Sequence, residues 1–265
     1  MQLTSSRGAA RSARRPTLIG SLLTMWHPDD MDGFITTATA RDEQNRAARV
    51  AVLPVGSFEQ HGDYLPLITD TVVACAIAER IAAEYGLFLL PPVTVSCSHE
   101  HAGFAGTVSI STRTLIAVVI DVADSLRSSG VDRLTIVNGH GGNYVLANVV
   151  QEANTAGPRM TLFPNVQDWK AARTAAGLRS STSDDMHAGE AEVSILLHTH
   201  PEWVRDGYQH ADWQANPRPH LLVTGMGGYT DSGVIGLPSL ATAEKGRAIL
   251  DSLTRSFKDH LEILS

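Results

Sequence analysis

The sequence predicts a three-layer α/β/α fold, in which helices cover both faces of a mostly parallel central sheet. Three observations predict it: short apolar runs alternate with segments of helical periodicity, glycines follow several helical segments, and polar residues come directly after apolar runs. A chain of 265 residues that is 43% hydrophobic can bury one large core. We therefore expect residues 16–265 to form a single domain behind a disordered arm, residues 1–15, which holds four arginines and no acid.

The first strand and the helix after it are the clearest elements. Residues 49–56 form an apolar run that ends in a glycine, as a buried strand of a parallel sheet does. The next helix begins at Thr69 or Asp70, which would cap it, and carries apolar residues at helical spacing. Gly86 ends this helix, because glycine readily adopts the left-handed conformation of a helix C-terminus.

The same alternation continues along the chain. Apolar residues recur three and four positions apart in the helical segments, and runs rich in Leu, Ile and Val separate those segments. The remaining predicted strands are residues 87–91, 133–139 and 160–164, and the remaining predicted helices are residues 31–45, 112 or 114 to 129, 143–156, 188–198 and 241–264.

Charge and composition exclude several classes of partner. The net charge is −7 and the basic residues outside the arm are scattered, so no nucleic-acid surface is expected. No run approaches the roughly 18 apolar residues that cross a bilayer, so no membrane partner is expected either. Cys75 and Cys97 are too few for a disulfide framework and are not spaced as a metal or redox pair. We expect both to be buried thiols in a cytoplasmic protein.

Acidic and histidine side chains follow the first strand. Glu59 and His61 lie two residues apart, and in an extended loop such residues point the same way. They can therefore offer a carboxylate oxygen and an imidazole nitrogen to one small volume, which Asp70 can join as a third ligand. Ligands bind at this edge of open α/β sheets, so the pattern predicts a metal site. A lone E-x-H sequence would otherwise indicate only a solvated loop.

A glycine-rich loop, residues 138–143, follows the third predicted strand and opens a helix. Glycines on both sides of His140 let the backbone turn tightly, so that its imidazole can approach a ligand at close range. A nucleotide-binding loop is disfavoured, because neither G-x-G-x-x-G nor a P-loop lysine is present.

A second dense group of acids and histidine, residues 184–192, also enters a helix. Glu190 and Glu192 can complement the helix dipole. Glu192, however, lies in a segment that otherwise indicates core, where a carboxylate needs a cation. Residues 99–101, which include His101, follow another strand end and belong either to the pocket or to the core or rim.

Six motifs in order resemble the creatininase (creatinine amidohydrolase) family, over most of the chain from about residue 49. They are LPVGSFEQHG at 53–62, LPLITD at 65–70, GTVS at 106–109, NGHGGN at 138–143, HAGEAE at 187–192 and GVIGLPSLATAEKG at 233–246. The resemblance implies an α/β/α fold, two divalent metal ions (Zn, Mn or Fe), hydrolysis of a C–N amide bond in a small substrate, and a homohexamer.

The resemblance also implies a ligand set. Glu59, His61, Asp70 and His140 fall on metal ligands of the family, with Asp70 in the place of the bridging carboxylate. The fifth ligand is expected to be Glu192, because position 142, where creatininase itself has a glutamate, is glycine. Further pocket residues are expected to bind substrate, namely His101, Gly141, Gly142 and Trp169.

The expected substrate is a cyclic amide, a formamide or a similar small amide. Creatinine itself is disfavoured, because Trp169 does not match the spacing of the family's substrate-covering tryptophans and Ser183 stands where one is expected. Two alternatives stay open: a peptidase of the kind that trims the mycofactocin precursor, and a non-catalytic member of the fold that binds a small molecule or metal.

The leaving nitrogen of an amide needs a proton as the C–N bond breaks, and histidine is the usual donor near neutral pH. His187 is our first candidate for that donor, because it opens the helix that carries Glu192 and is not carried over as a ligand. Glu190 is the second candidate. The alternative is that His187 only caps or packs the helix.

Overall fold

The computed structural model describes residues 36–264, and within them the central sheet has four parallel strands. The predicted disordered arm, residues 1–15, and the predicted domain boundary at residue 16 lie outside the described residues. The strands lie in the order β2-β1-β3-β4, so the strand order reverses between β1 and β3. The strands are β1 (Val50–Val55), β2 (Phe88–Leu89), β3 (Arg133–Asn138) and β4 (Met160–Phe163).

Helices cover both faces of this sheet, which confirms the predicted α/β/α class. They are α1 (Ala40–Arg46), α2 (Thr69–Tyr85), α3 (Thr112–Ser128), α4 (Val145–Ala153), α5 (Val166–Ala175), α6 (Glu190–Thr199), α7 (Leu221–Thr224) and α8 (Ala243–Leu264). Every residue of β1 is buried, and successive side chains enter different cores. Val50 and Val52 pack with α2, α6 and α8, whereas Ala51 and Leu53 pack with α3 and α4.

The beginnings of two helices differ from prediction. Neither Thr69 nor Asp70 caps α2; both lie inside its first turn, and Ile68 precedes it without a side-chain cap. The carboxylate of Asp70 is therefore not used on the helix backbone. The predicted first helix begins late, because residues 36–39 are not helical and Thr39 forms a capping box with Asp42. Residues 31–35 of that prediction lie outside the described residues.

Two helices, the one-turn α7 and the longer α5, were not predicted. The signal for α5 is short but present in the sequence: Asn165 follows Pro164 and forms a capping box with Asp168. Trp169 therefore lies on a helix.

Residues 36–264 bear on two further predictions, one about the cysteines and one about membrane-spanning helices. Cys75 and Cys97 are buried free thiols, as predicted. No helix in this range combines the length and the apolar character needed to cross a membrane.

Candidate active site

The start of α2 packs directly against the ends of β1 and β3. A Cβ atom at Gly56 would lie 2.3 Å from the backbone nitrogen of Thr71, and one at Gly139 would lie 2.2 Å from the carbonyl oxygen of Asp70. Any side chain at either position would push the helix away. Because Val55 pairs with Asn138, the loops after β1 and β3 leave the sheet side by side, and α2 places Asp70 between them.

The two carboxylate oxygens of Asp70 face two different histidines. Oδ1 lies 3.1 Å from Nε2 of His61, and Oδ2 lies 2.9 Å from Nδ1 of His140. The hydroxyl of Ser57 donates to Oδ2 at 2.6 Å. Although burial raises the pKa of Asp70, the neighbouring His61 and His140 hold it well below its usual range. Asp70 is therefore an ionised carboxylate with one oxygen turned towards each histidine.

Backbone carbonyls fix the orientation of both histidine rings. Nδ1 of His61 lies 3.1 Å from the carbonyl oxygen of Glu59, and Nε2 of His140 lies 2.9 Å from that of Cys97. A carbonyl only accepts, so these nitrogens carry the proton in the neutral ring. Although burial lowers the pKa of both rings, the charge of Asp70 raises that of His61 to about 9, and the charge of Glu59 raises that of His140 well above its usual value, so beside these carboxylates alone the nitrogens facing Asp70 are protonated as well. In the neutral rings that a metal site requires, these nitrogens would be the free ones, which is how metal-binding histidines are commonly held.

Glu59 is fully buried, and neither of its carboxylate oxygens has a hydrogen-bond partner among the described residues. Its Oε1 lies near three ring nitrogens without hydrogen-bond geometry: 3.2 Å from His101, 3.3 Å from His140 and 3.7 Å from His187. Burial, followed by the charge of Asp70, raises the pKa of this carboxyl. A buried carboxylate without partners is costly unless a cation neutralises it, so this cluster fits a metal ion.

Three groups of side chains in the described chain have ligand atoms within 4.8 Å of one another. One contains Glu59, Asp70 and His140, and another contains His61, Asp70 and Glu192. These two groups share Asp70, so both could hold an ion at the same time. The third group joins Glu59 and His61, one from each of the other two groups, to His187.

Glu192 lies at the open side of the cluster. Its side chain is 21% exposed, and Oε2 lies 3.9 Å from Nε2 of His61. The same oxygen accepts a hydrogen bond from the backbone nitrogen of Ala188 at 2.6 Å. The structure therefore brings together all five residues that the sequence analysis named as metal ligands.

A glutamine amide orients His101. The backbone N–H of Gly62 donates to Oε1 of Gln60 at 3.0 Å, and Nε2 of Gln60 donates to the carbonyl of Gly233 at 3.0 Å. With the amide fixed in this way, its remaining proton points to Nδ1 of His101 at 2.9 Å. Burial lowers the pKa of His101 to about 3, so the ring is neutral and its Nε2–H faces Glu59.

His187 lies inside the cluster, and Glu190 does not. Nε2 of His187 donates to the carbonyl of Gln60 at 2.6 Å, which leaves Nδ1 towards Glu59. Its ring packs 4.1 Å from that of His61 and 4.4 Å from that of His101, measured between centroids. Burial, followed by the charge of His61, holds the pKa of His187 well below its usual value.

Glu190 is occupied elsewhere. Its carboxylate accepts hydrogen bonds from the backbone of Arg179 and Ser180, from the Ser180 hydroxyl at 2.6 Å and from Lys245 at 2.5 Å. Although burial raises it, the hydrogen bonds from Lys245 and Ser180 hold the pKa of Glu190 below its usual value. Glu190 therefore anchors residues 179–180 and α8 to the start of α6, away from the metal-binding groups.

Two cavities meet at the cluster. A cavity of about 140 Å³ is lined by Glu59, Asp70 and His187 and by three predicted substrate-binding residues, His101, Gly141 and Gly142. A second cavity, of about 550 Å³, shares His140, Gly141, Met186 and Glu192 with the first and extends to Trp169 on α5. The four residues predicted to bind substrate thus line these two cavities.

Glu100 belongs to residues 99–101, for which the sequence left pocket and core open, and no role was predicted for it. Its carboxylate lines the smaller cavity, and Oε1 lies 3.6 Å from Nε2 of His140. A Cβ atom at Gly142 would lie only 2.0 Å from this oxygen. Glu100 therefore fills the space that a side chain at position 142 would need. The adjacent histidines, His99 and His101, were the only sign of it in the sequence.

Known proteins share this fold and sequence pattern. A sequence profile of the creatininase family, described as creatinine amidohydrolase, matches residues 35–261. The mycofactocin precursor peptide peptidase of Mycobacterium ulcerans is 36% identical over 211 residues, which cover 75% of this chain and 78% of that protein. The peptidase of the same name from Mycolicibacterium smegmatis is 33% identical over 236 residues, which cover 85% and 89%.

Among solved structures, one designated "Creatininase Mn" is similar with a TM-score of 0.73 at 22% identity, covering 86% of this chain and 98% of that one. This structural likeness supports the three-layer architecture. The profile match and the identity to the two peptidases show that the chain belongs to the creatininase family.

Proposed function

We propose that this protein is a hydrolase that uses two divalent metal ions to cleave a C–N amide bond. The observation that carries the proposal is Asp70, whose two oxygens serve two ligand groups at once. One ion would be held by Glu59, Asp70 and His140, and the other by His61, Asp70 and Glu192. This mixture of carboxylate and imidazole ligands suits zinc, manganese or iron. Solved family members are designated "Creatininase Mn" and "Zn-Zn type".

When bound, such ions polarise an amide carbonyl and lower the pKa of water towards 7. The remaining requirement is a proton for the leaving nitrogen, and we assign its delivery to His187. Its Nε2–H is held by the carbonyl of Gln60, so Nδ1 is the nitrogen that can take up a proton and deliver it in the cavity. Glu190 lies outside this cavity and has no such role in the proposal.

The smaller cavity is sized for the reacting amide and a few surrounding atoms, since it holds about 140 Å³. A small amide, either cyclic or a formamide, is the substrate class that the family resemblance implies. A peptide is a second candidate, and two observations favour it: the identity of 33–36% to precursor peptide peptidases, and the adjoining cavity of about 550 Å³. We expect the active protein to be a cytoplasmic homohexamer.

The test is a turnover screen with protein of measured metal content. Zinc-loaded and manganese-loaded protein would be incubated with cyclic ureides, lactams, N-formyl compounds and short peptides. Hydrolysis of one class, lost in Glu59→Gln, is the expected result. A protein that takes up no metal, or one that is fully loaded and inactive on all four classes, would instead favour the non-catalytic binding protein.

A further inference from the structure

One wall of the larger cavity comes from the first turns of α5. Val166, Trp169 and Lys170 are three and four residues apart, so they lie on one side of the helix, and all three line the cavity. Trp169 is half-buried and packs against the core beneath it, which holds its indole in place. Val166 is 79% exposed. The wall therefore offers an apolar, partly aromatic surface that ends in an ammonium group.

The charges around this cavity leave Lys170 unneutralised. Arg173, one turn further along α5, is paired with the buried Asp185 at 2.8 Å and also donates to Ser180. Glu192 lies at the other end, in the metal-binding groups. No carboxylate within residues 36–264 lies within 4 Å of the Lys170 ammonium, whereas both other lysines of that range, Lys245 and Lys258, have acidic partners.

We propose that Val166, Trp169 and Lys170 form a subsite for the part of the substrate remote from the reacting amide. The group it takes is an apolar or aromatic segment that ends in an oxyanion, either a carboxylate or a phosphate. This inference rests on the proposed function, because it assumes that the amide lies at the metal-binding groups.

The geometry supports this assignment of substrate class. The two cavities share His140, Gly141, Met186 and Glu192, so one molecule can occupy both. A volume of about 550 Å³ is within the range of pockets for ligands of drug size, well beyond the needs of a formyl group. An ammonium group binds an oxyanion as a point charge, without the planar geometry that an arginine would impose.

The experiment compares matched substrates with and without the oxyanion. N-formylphenylalanine is paired with N-formylphenethylamine, and N-formyltyramine phosphate with N-formyltyramine, using zinc-loaded protein. Hydrolysis gives kcat and KM separately, and calorimetry gives the Kd of each compound that is not hydrolysed. The variants are Lys170→Gln, Lys170→Arg and the control Lys258→Gln, whose side chain is 68% exposed on α8 and does not line the cavity.

We expect each anionic compound to bind roughly 10-fold or more tightly than its neutral partner, as for other hydrogen bonds to charged groups. The preference should appear in KM or Kd rather than in kcat, fall with added salt, disappear in Lys170→Gln and persist in Lys170→Arg and Lys258→Gln. The pair with the larger preference identifies carboxylate or phosphate as the ligand.

The proposed subsite would be overturned if the anionic and neutral compounds of each pair bound equally tightly, or if no compound of either pair bound. A preference that survives in Lys170→Gln would also overturn it. Failure of the proposed function has a different signature, since fully metal-loaded protein would then hydrolyse no amide in the wider screen while the Kd values still report on Lys170.

Discussion

Replacing Asp70 tests the shared carboxylate most directly. In Asp70→Ala both oxygens are lost, one 3.1 Å from His61 and the other 2.9 Å from His140, so each metal-binding group falls from three ligands to two. Removing a group that only supports a metal ligand lowers metal affinity about 10–100-fold. Loss of the ligand itself should exceed 100-fold at each position, or about 2.8 kcal/mol per ion. We expect Asp70→Asn, which keeps one oxygen, to retain at most one ion tightly.

The assay is metal content after dialysis against buffer without chelator, measured by mass spectrometry, together with hydrolysis of the substrate found in the screen. Asp63→Ala is the matched control, because Asp63 lies in the same loop, is exposed and forms no salt bridge with another residue of the range 36–264. We expect two ions per chain in the wild type and in Asp63→Ala, and none in Asp70→Ala. An Asp70→Ala protein that kept two ions and normal rates would refute the shared carboxylate.

Three further predictions follow from the site and its surroundings. His187→Ala should keep both ions and lower kcat by roughly 10²–10⁴-fold, least on substrates with good leaving groups; loss of metal would make His187 a ligand instead. Burial raises the pKa of Glu79 from 4.5 to about 7, so the folded state holds this proton to higher pH than the unfolded chain, and stability falls as pH rises between those values. In Glu79→Gln this fall should be absent, so that the free energy of unfolding of the variant rises relative to the wild type by at most about 3 kcal/mol between pH 4 and 8. Thermal unfolding measures this, and parallel pH profiles of the two proteins would contradict it. Light scattering should give about six times the chain mass of 28.4 kDa, and a mass near one chain would exclude the hexamer.

The sequence predicted the fold well where periodicity and glycines agree. The strand at residues 50–55 and the helix that ends at Gly86 occupy the predicted places, because a continuous apolar run and a left-handed glycine are local signals. The five proposed ligands were also foreseeable, because each follows the end of a strand or opens a helix. Parallel strands bring such positions to one edge of the sheet.

Contacts between distant segments were not foreseeable. Nothing local to residues 99–101 says that the carboxylate of Glu100 fills the space above Gly142. In the same way, the sequence distinguished Glu192 as a ligand but left Glu190 a candidate proton donor, because nothing local shows that Lys245 and Ser180 bind its carboxylate. The predicted cap of α2 was wrong for a related reason. Thr69 and Asp70 are good capping residues, but Asp70 lies between His61 and His140.

The contact of α2 with Gly56 and Gly139 makes the active-site geometry independent of overall stability, although these two properties usually vary together. The helix touches the backbone of both ligand loops there, so the spacing between Asp70 and the two histidines depends on backbone contact and not on side chains that can repack. Substitutions elsewhere in the two cores can change the free energy of unfolding while the ligand distances stay the same. A single methyl group at either glycine, in contrast, would displace Asp70 from both loops in one step. The positions of the proposed ligands therefore depend on two residues that carry no side chain at all.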